Sequence, residues 1–288
     1  MSIVIEKLSH AYHKDTWAIK DISCTLEAGN IYGLIGMNGS GKSTLFNCLM
    51  GMLTPTQGHI QINHQAIQEA RKKQRIAYVP QNEMIDWDFP VLVEEVVMMG
   101  RYGHMAWHRI PKERDHEKVR SALDAVAMTP FMKRQIGELS GGQKKRVFVA
   151  RALAQDADII LLDEPFTGVD TQTENHLISL FRDLKNQHKL LLISTHNLGS
   201  VPELCDQVLL INQRLLAQGP IKSTFTKANL NATFQDKLRA LTIASEDIHD
   251  DADADQRSVA VLTDDEKPLV FYGEKEKQHI VHNKGTHD

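Results

Sequence analysis

Cysteine is scarce in this chain: there are three in 288 residues, Cys24, Cys48 and Cys205, and no two of them form a CxxC pair. That spacing excludes a disulfide framework and a Cys-based zinc site, and it reads the three as reduced packing residues. Long apolar runs are missing too. The longest candidate, Val91 to Met99, is interrupted by Glu94 and Glu95 and falls short of the roughly 18 apolar residues that a membrane span requires. The start, MSIVIEKLSHAY, has neither the basic opening nor the apolar stretch of a signal peptide, so the expected location is the cytoplasm. Aromatic residues make up only 6% of the chain, and no dense basic stripe interleaves with them. A nucleic-acid partner is therefore not expected.

What is present is 42% hydrophobic residues, enough for a sizeable core. Charge is unevenly spread: from Ser245 onward there are 12 Asp and Glu against 5 Lys and Arg, so the tail is net −7 and the rest net +3. Early on, apolar runs at Ile3–Leu8 and Ala18–Leu26 alternate with polar turns and read as antiparallel strands closing at Ala28-Gly29-Asn30. From Ile31 the style changes. Short apolar strands at 31–35, 76–79, 159–162, 190–194 and 208–211 alternate with helical stretches, which predicts an α/β fold with a largely parallel sheet. Asn82 to Gly137 is mostly helical and reads as an inserted subdomain, about 82–155 at its widest. After Gly219-Pro220 periodicity is lost, and Asp247 to Asp255 is an acidic linker. Ser258–Leu262 and Leu269–Tyr272 are placed to pair as a hairpin. The reading is one main domain at 1–225 followed by an acidic, partly disordered extension at 226–288.

Three motifs carry chemistry. Gly36-Met37-Asn38-Gly39-Ser40-Gly41-Lys42-Ser43 fits GxxxxGK[ST] between a predicted strand and a predicted helix, with Thr44 next in that helix. Glycines there let backbone N–H groups turn toward phosphate oxygens, Lys42 reaches the β and γ phosphates, and the Ser43 hydroxyl suits Mg²⁺. Ile159-Ile160-Leu161-Leu162-Asp163-Glu164 ends an apolar strand on two carboxylates. The carboxyl end of a central strand is where open α/β sheets bind ligands, so Asp163 is read as a Mg²⁺ partner and Glu164 as the residue that activates water. Leu139-Ser140-Gly141-Gly142-Gln143 precedes KKRVFVARALA, making a second helix N-terminus able to bind phosphate. One small domain has no use for two such termini on one nucleotide unless the second serves a neighbour.

With these motifs in this order, the chain resembles the ATP-binding cassette (ABC) ATPases from Ile3 to about Gly219. The resemblance implies a P-loop NTPase fold, with a RecA-like parallel core, an N-terminal antiparallel β subdomain and the inserted helical subdomain, and ATP and Mg²⁺ as ligands. It implies that Tyr12 stacks on adenine, that Gln81 after AYVP is the Q-loop glutamine touching Mg²⁺ or the attacking water, that Asp170 in TGVD is the D-loop aspartate, and that His196 ending LLLISTH is the switch histidine. Lys144 and Lys145 stand where glutamines are frequent, and Gly168-Val169 where Ala-Leu is frequent; neither removes a functional group. A second copy, meeting the first head to tail, is implied as the partner that supplies the second terminus.

Among such proteins, DWDFP (86–90) followed by VVMMGRYGH (96–104) is similar to the ATPases of the manganese, zinc and iron import group. The pattern VxMGRYxH within the second string alone also resembles the iron-siderophore and cobalamin importers, so the first string is what separates them. That resemblance implies a polytopic membrane permease and an extracytoplasmic metal-binding protein as partners, and a peripheral position on the cytoplasmic face of the inner membrane. Trp87 or Trp107 is expected in the groove that receives the permease. Soluble ABC ATPases of chromosomes and DNA repair carry long heptad coiled coils between the first motif and LSGGQ, and this chain has none. The tail histidines His249, His279, His282 and His287 form no well-spaced ligand set.

Overall fold

The computed structural model describes residues 1–14, 16–81 and 89–235, together with the backbone of three strands at 239–243, 257–263 and 269–274. Strands β1 (Ser2–His13) and β2 (Thr16–Glu27) pair antiparallel, and the other edge of β1 takes β4 (Gln57–Ile62), which continues into β5 (Gln65–Ala66). Alternate residues Ile3, Ile5, Ile22, Leu26, Ile60 and Ile62 are buried, the pattern of a sheet with one solvated face. Gly58 closes this sheet at a bulge: its φ is +77°, and an added Cβ would overlap the carbonyls of Glu6 and Lys7.

The second sheet has the order β10-β9-β3-β8-β7-β6. Its members are β3 (Ile31–Ile35), β6 (Ile76–Val79), β7 (Ile159–Asp163), β8 (Leu190–Ser194), β9 (Gln207–Asn212) and β10 (Arg214–Pro220). The first five run parallel, and β10 folds back antiparallel on β9. Strands β3, β7 and β8 are buried along their whole length. Their unbroken apolar runs are divided by the pleat between two cores. Ile31, Ile35, Ile160 and Leu162 face the helices, whereas Tyr32, Leu34, Ile159 and Leu161 face the antiparallel sheet and helix α1 (Lys42–Leu49). Each such side chain, fully buried, contributes about 1.5–3 kcal/mol.

Helix α2 (Ile67–Lys72) follows β5. The inserted subdomain comprises α3 (Val93–Met98), a 3₁₀ turn at Met99–His104, α4 (Glu113–Ala125) and α5 (Gly141–Ala154). Beyond β7 come α6 (Thr171–Asn186) and α7 (Val201–Leu204), and after β10 come α8 (Ile221–Thr224) and α9 (Lys227–Phe234). These last two occupy a stretch that sequence periodicity leaves blank and that lies across the expected division at 225. They are held by burial of Phe225, Leu230 and Phe234 in the helix-side core, and helices this short carry too few turns to show a period. All three cysteines are free and buried, and burial pushes the Cys24 and Cys48 thiols up to about 12 and about 11, which leaves them protonated and inert.

Strands β11 (Arg239–Ile243), β12 (Arg257–Thr263) and β13 (Leu269–Glu274) form a separate antiparallel sheet with β12 in the middle. The expected hairpin is present, with Val259 opposite Tyr272 and Leu262 opposite Leu269; β11 is an addition to it. Trp87, the acidic stretch 247–255 and His249, His279, His282 and His287 lie outside the described residues.

Candidate nucleotide site

Strand β3, buried along its whole length, delivers the chain into the loop Gly36–Gly41. Gly39 and Gly41 take φ of +80° and +99°, conformations that L side chains rarely adopt, and an added Cβ at Gly41 would strike Ala18 and Ile19. The loop therefore wraps closely and hands over to α1 at Lys42. Lys42 is buried, and its Nζ donates to the carbonyls of Gly36 (2.6 Å) and Met37 (3.1 Å). Burial lowers its pKa, while the nearby carboxylates of Glu164 and Asp163 act to raise it.

Strand β7 brings those carboxylates to the same end of the sheet. Asp163 and Glu164 are both buried, and buried carboxylates require partners. Asp163 accepts from the Tyr78 hydroxyl at 3.3 Å and, through its other oxygen, from Ser194 Oγ. Glu164 takes φ +50°, rare for a residue with a side chain, and its N–H donates to the Ser194 carbonyl at 3.1 Å. Three groups converge on its Oε2: Gln81 Nε2 donates at 2.6 Å, Thr167 Oγ1 donates at 3.3 Å, and His196 Nδ1 lies 3.3 Å away.

These residues enclose two adjoining cavities. One, of about 400 Å³, is lined by residues that include Tyr12, Asn38, Gly39, Gly41, Lys42, Ser43, Thr44, Gln81, Asp163 and Glu164; the other, of about 430 Å³, adds Gly36, Thr167 and His196. Tyr12 is 55% exposed at the mouth, with its hydroxyl 3.3 Å from Thr44 Oγ1 and His10 edge-on to its ring. A hydroxyl, an amide oxygen and a carboxylate here make a hard-oxygen set suited to Mg²⁺, which is typically held by one or two protein ligands plus phosphate oxygens.

Ser140, Gly141, Gly142, Gln143 and Asp170 line neither cavity. Ser140 caps α5: its Oγ accepts from Gln143 N–H at 3.3 Å, and Gln143 Oε1 accepts from Ser140 N–H at 3.0 Å, a reciprocal capping box. Asp170 caps α6 by accepting from the Thr173 N–H and hydroxyl, bonds that hold its carboxyl below the usual range. Gly142 lies against Gly168 and Val169, so these two segments share one surface of the molecule. Residues that sequence reasoning passes over are Tyr78, Ser194 and Thr167, which orient the carboxylates, and Lys145, buried on α5, which donates to the carbonyls of Pro80 and Gln81. Thr167 is legible as a hydroxyl three residues beyond a strand-end acid, whereas Ser194 meets Asp163 only through the pairing of β7 with β8.

The family model for ABC transporters matches residues 19–167, more than half of the chain. The chain belongs to the ABC transporter family. It is an ATP-binding, ATP-hydrolysing cassette of that family, and among its described residues no helix is long and apolar enough to cross a membrane. The cassette is 54% identical over 271 residues to the chelated iron transport system membrane protein YfeB of Yersinia pestis, covering 94% of this chain and 91% of that one. It is 50% identical to the manganese transport system ATP-binding protein MntA of Synechocystis, covering 81% and 90%. Among solved structures it is similar to an inward-facing metal-chelate type ABC transporter, with TM-score 0.74 and 28% identity over 93% of this chain and 97% of the other.

Proposed function

We propose that this cassette powers the import of a divalent metal, manganese, iron or zinc, through a separate membrane permease fed by an extracytoplasmic metal-binding protein, from the cytoplasmic face of the inner membrane. The observation that carries the chemistry is the convergence of Gln81, Thr167 and His196 on one oxygen of Glu164, across a cavity shared with Lys42. In this reading ATP lies along the loop Gly36–Thr44, with adenine stacked on Tyr12, a contact of about 1–3 kcal/mol, and its β and γ phosphates on Lys42. Ser43, Asp163 and Gln81 would hold Mg²⁺, which when bound offsets phosphate charge. Glu164 orients and deprotonates the attacking water, and His196 and Gln81 keep its carboxylate aimed at the γ-phosphate. Ser140, Gly141, Gly142, Gln143 and Asp170 serve the nucleotide of a second copy, in keeping with their separation from the cavity of their own chain. ATP then joins two cassettes and hydrolysis releases them, so the permease is driven between two states.

The cargo reading is supported by the identities above to proteins named for chelated iron and manganese transport. The permease would seat in a groove of about 770 Å³ lined by residues that include Phe89, Met98, Met99, Tyr102 and Met132; Phe89, 62% exposed, offers an apolar contact there, whereas Trp107, 95% exposed, is not among the residues that line it. The test is ATP-dependent uptake of Mn²⁺, Fe²⁺, Zn²⁺, a ferric siderophore and cobalamin by the reconstituted transporter. Uptake of a free divalent ion, abolished by Glu164→Gln, is expected. Uptake of the siderophore or cobalamin alone overturns the cargo assignment.

A further inference from the structure

The Met99–His104 turn has two faces. One presents Met99 and Tyr102 to the groove. The other grips the end of α5. Gly100 packs so close that an added Cβ would overlap the Arg151 carbonyl. Arg101 Nη1 donates to the Ala154 carbonyl at 2.9 Å, and His104 Nε2 lies 2.7 Å from the Gln155 carbonyl. Those carbonyls belong to the last turn of α5, where intrahelical partners run out and a cation is favoured. Arg101 is itself held by Asp115 of α4, Nε to Oδ1 at 3.1 Å, and Asp115 also accepts from the Lys112 N–H at 3.0 Å. Both side chains are buried, Asp115 almost completely.

A buried ion pair is a poor device for stability alone, since well-packed apolar residues serve as well or better. What this one does is join three segments, so that the turn, α4 and the end of α5 move as one body. The other end of α5 is Ser140, 14 helical residues away, about 21 Å at 1.5 Å per residue. A stiff helix of that length carries a displacement from one end to the other. We propose that the Met99–His104 turn transmits movement from the groove to Ser140, with Arg101 as the positioning residue that locks the turn to α5. The inference rests on the reading that the groove receives the membrane subunit and that Ser140 serves the second copy's nucleotide.

The experiment uses the full transporter and two variants. In Arg101→Met with Asp115→Leu, apolar residues replace the pair, so the fold keeps its packing while the Ala154 contact is lost. Gly100→Ala forces the turn away from α5 and removes no charge. Four quantities are read: co-purification of the membrane subunit, KM for ATP, hydrolysis by the cassette alone, and hydrolysis stimulated by the membrane subunit. Expected for both variants is unchanged co-purification and KM, basal turnover within about twofold of the parent, and stimulated kcat reduced on the order of tenfold. Basal and stimulated rates falling in the same proportion would make the clamp merely structural and overturn the proposal. Loss of co-purification would make the turn a docking element, and full stimulation would leave it no role; either result overturns it. If the unmodified transporter shows no stimulation, the reading of the groove fails first and takes this inference with it.

Discussion

At the scale of single residues the site separates holding from chemistry. Lys42 is placed against the phosphate loop, with its Nζ already on loop carbonyls, so Lys42→Ala should weaken ATP binding and end turnover together. The Glu164 carboxylate is held by Gln81, Thr167 and His196, none of which belongs to the phosphate loop. Glu164→Gln should therefore keep nucleotide affinity and lower kcat by about 10²–10⁴, checked by titration with a fluorescent ATP analogue beside phosphate release. Equal loss of affinity in both variants would remove the division of roles. The carboxylates were legible at the end of an apolar strand, but the residues that aim them were not. Tyr78 and Ser194 reach Asp163 from neighbouring strands, and a pairing register between segments 31 residues or more apart leaves no local trace.

Among elements, the inserted helices carry the sharpest test. Burial raises the pKa of Asp115, but the Lys112 N–H and the Arg101 guanidinium more than offset it, so the carboxyl stays below the ordinary range. A depressed folded pKa means that the stabilisation is complete above the unfolded value, about 3.9, and is lost as pH falls through the folded value. Asp115→Asn should cost about 3–5 kcal/mol at neutral pH, and the gap from the parent in urea unfolding should narrow below about pH 4. A gap independent of pH would show that charge at Asp115 is not what matters. Helix α5 supplies a second test. Ser140→Ala removes the capping oxygen and should destabilise by about 1 kcal/mol, measured by thermal melting of the cassette. Exposed as Ser140 is, a larger loss would mean that the serine supports the core of its own chain.

For the molecule as a whole, two boundaries decide what folds and what assembles. Phe225, Leu230 and Phe234 complete the helix-side core, so truncation after Gln235 should leave a cooperative, ATP-binding cassette, whereas Leu230→Ala should cost about 2–5 kcal/mol. Calorimetry and nucleotide titration of both proteins check this; a truncated chain that fails to fold would show that β11–β13 belong to the cassette core. Assembly is tested by Glu164→Gln with ATP and Mg²⁺, which should accumulate as a closed dimer in sedimentation because the joining nucleotide is no longer consumed. Ser140→Arg in the same background should prevent it. If some cassettes need membrane partners to raise their local concentration, crosslinking of introduced cysteines at Ser140 and Ser40 in the full transporter reads the same contact, and no ATP-dependent crosslink would sink the shared site.

Local pattern alone determined the phosphate loop, the strand-end carboxylates, the capped helix after Leu139 and the parallel strands, because each is encoded within about ten consecutive residues: glycine for positive φ, an apolar run for a strand buried on both faces, Ser with Gln three residues on for a cap. Tertiary structure decided the rest. It set Gln81, Thr167 and His196 around one oxygen of Glu164, placed Ser140 and Asp170 on a surface away from their own chain's cavity, tied Arg101 to both Asp115 and the end of α5, and drew α9 into the core. The physical reason is common to all four: each depends on side chains meeting across elements distant in sequence, where burial and partner geometry outweigh local propensity.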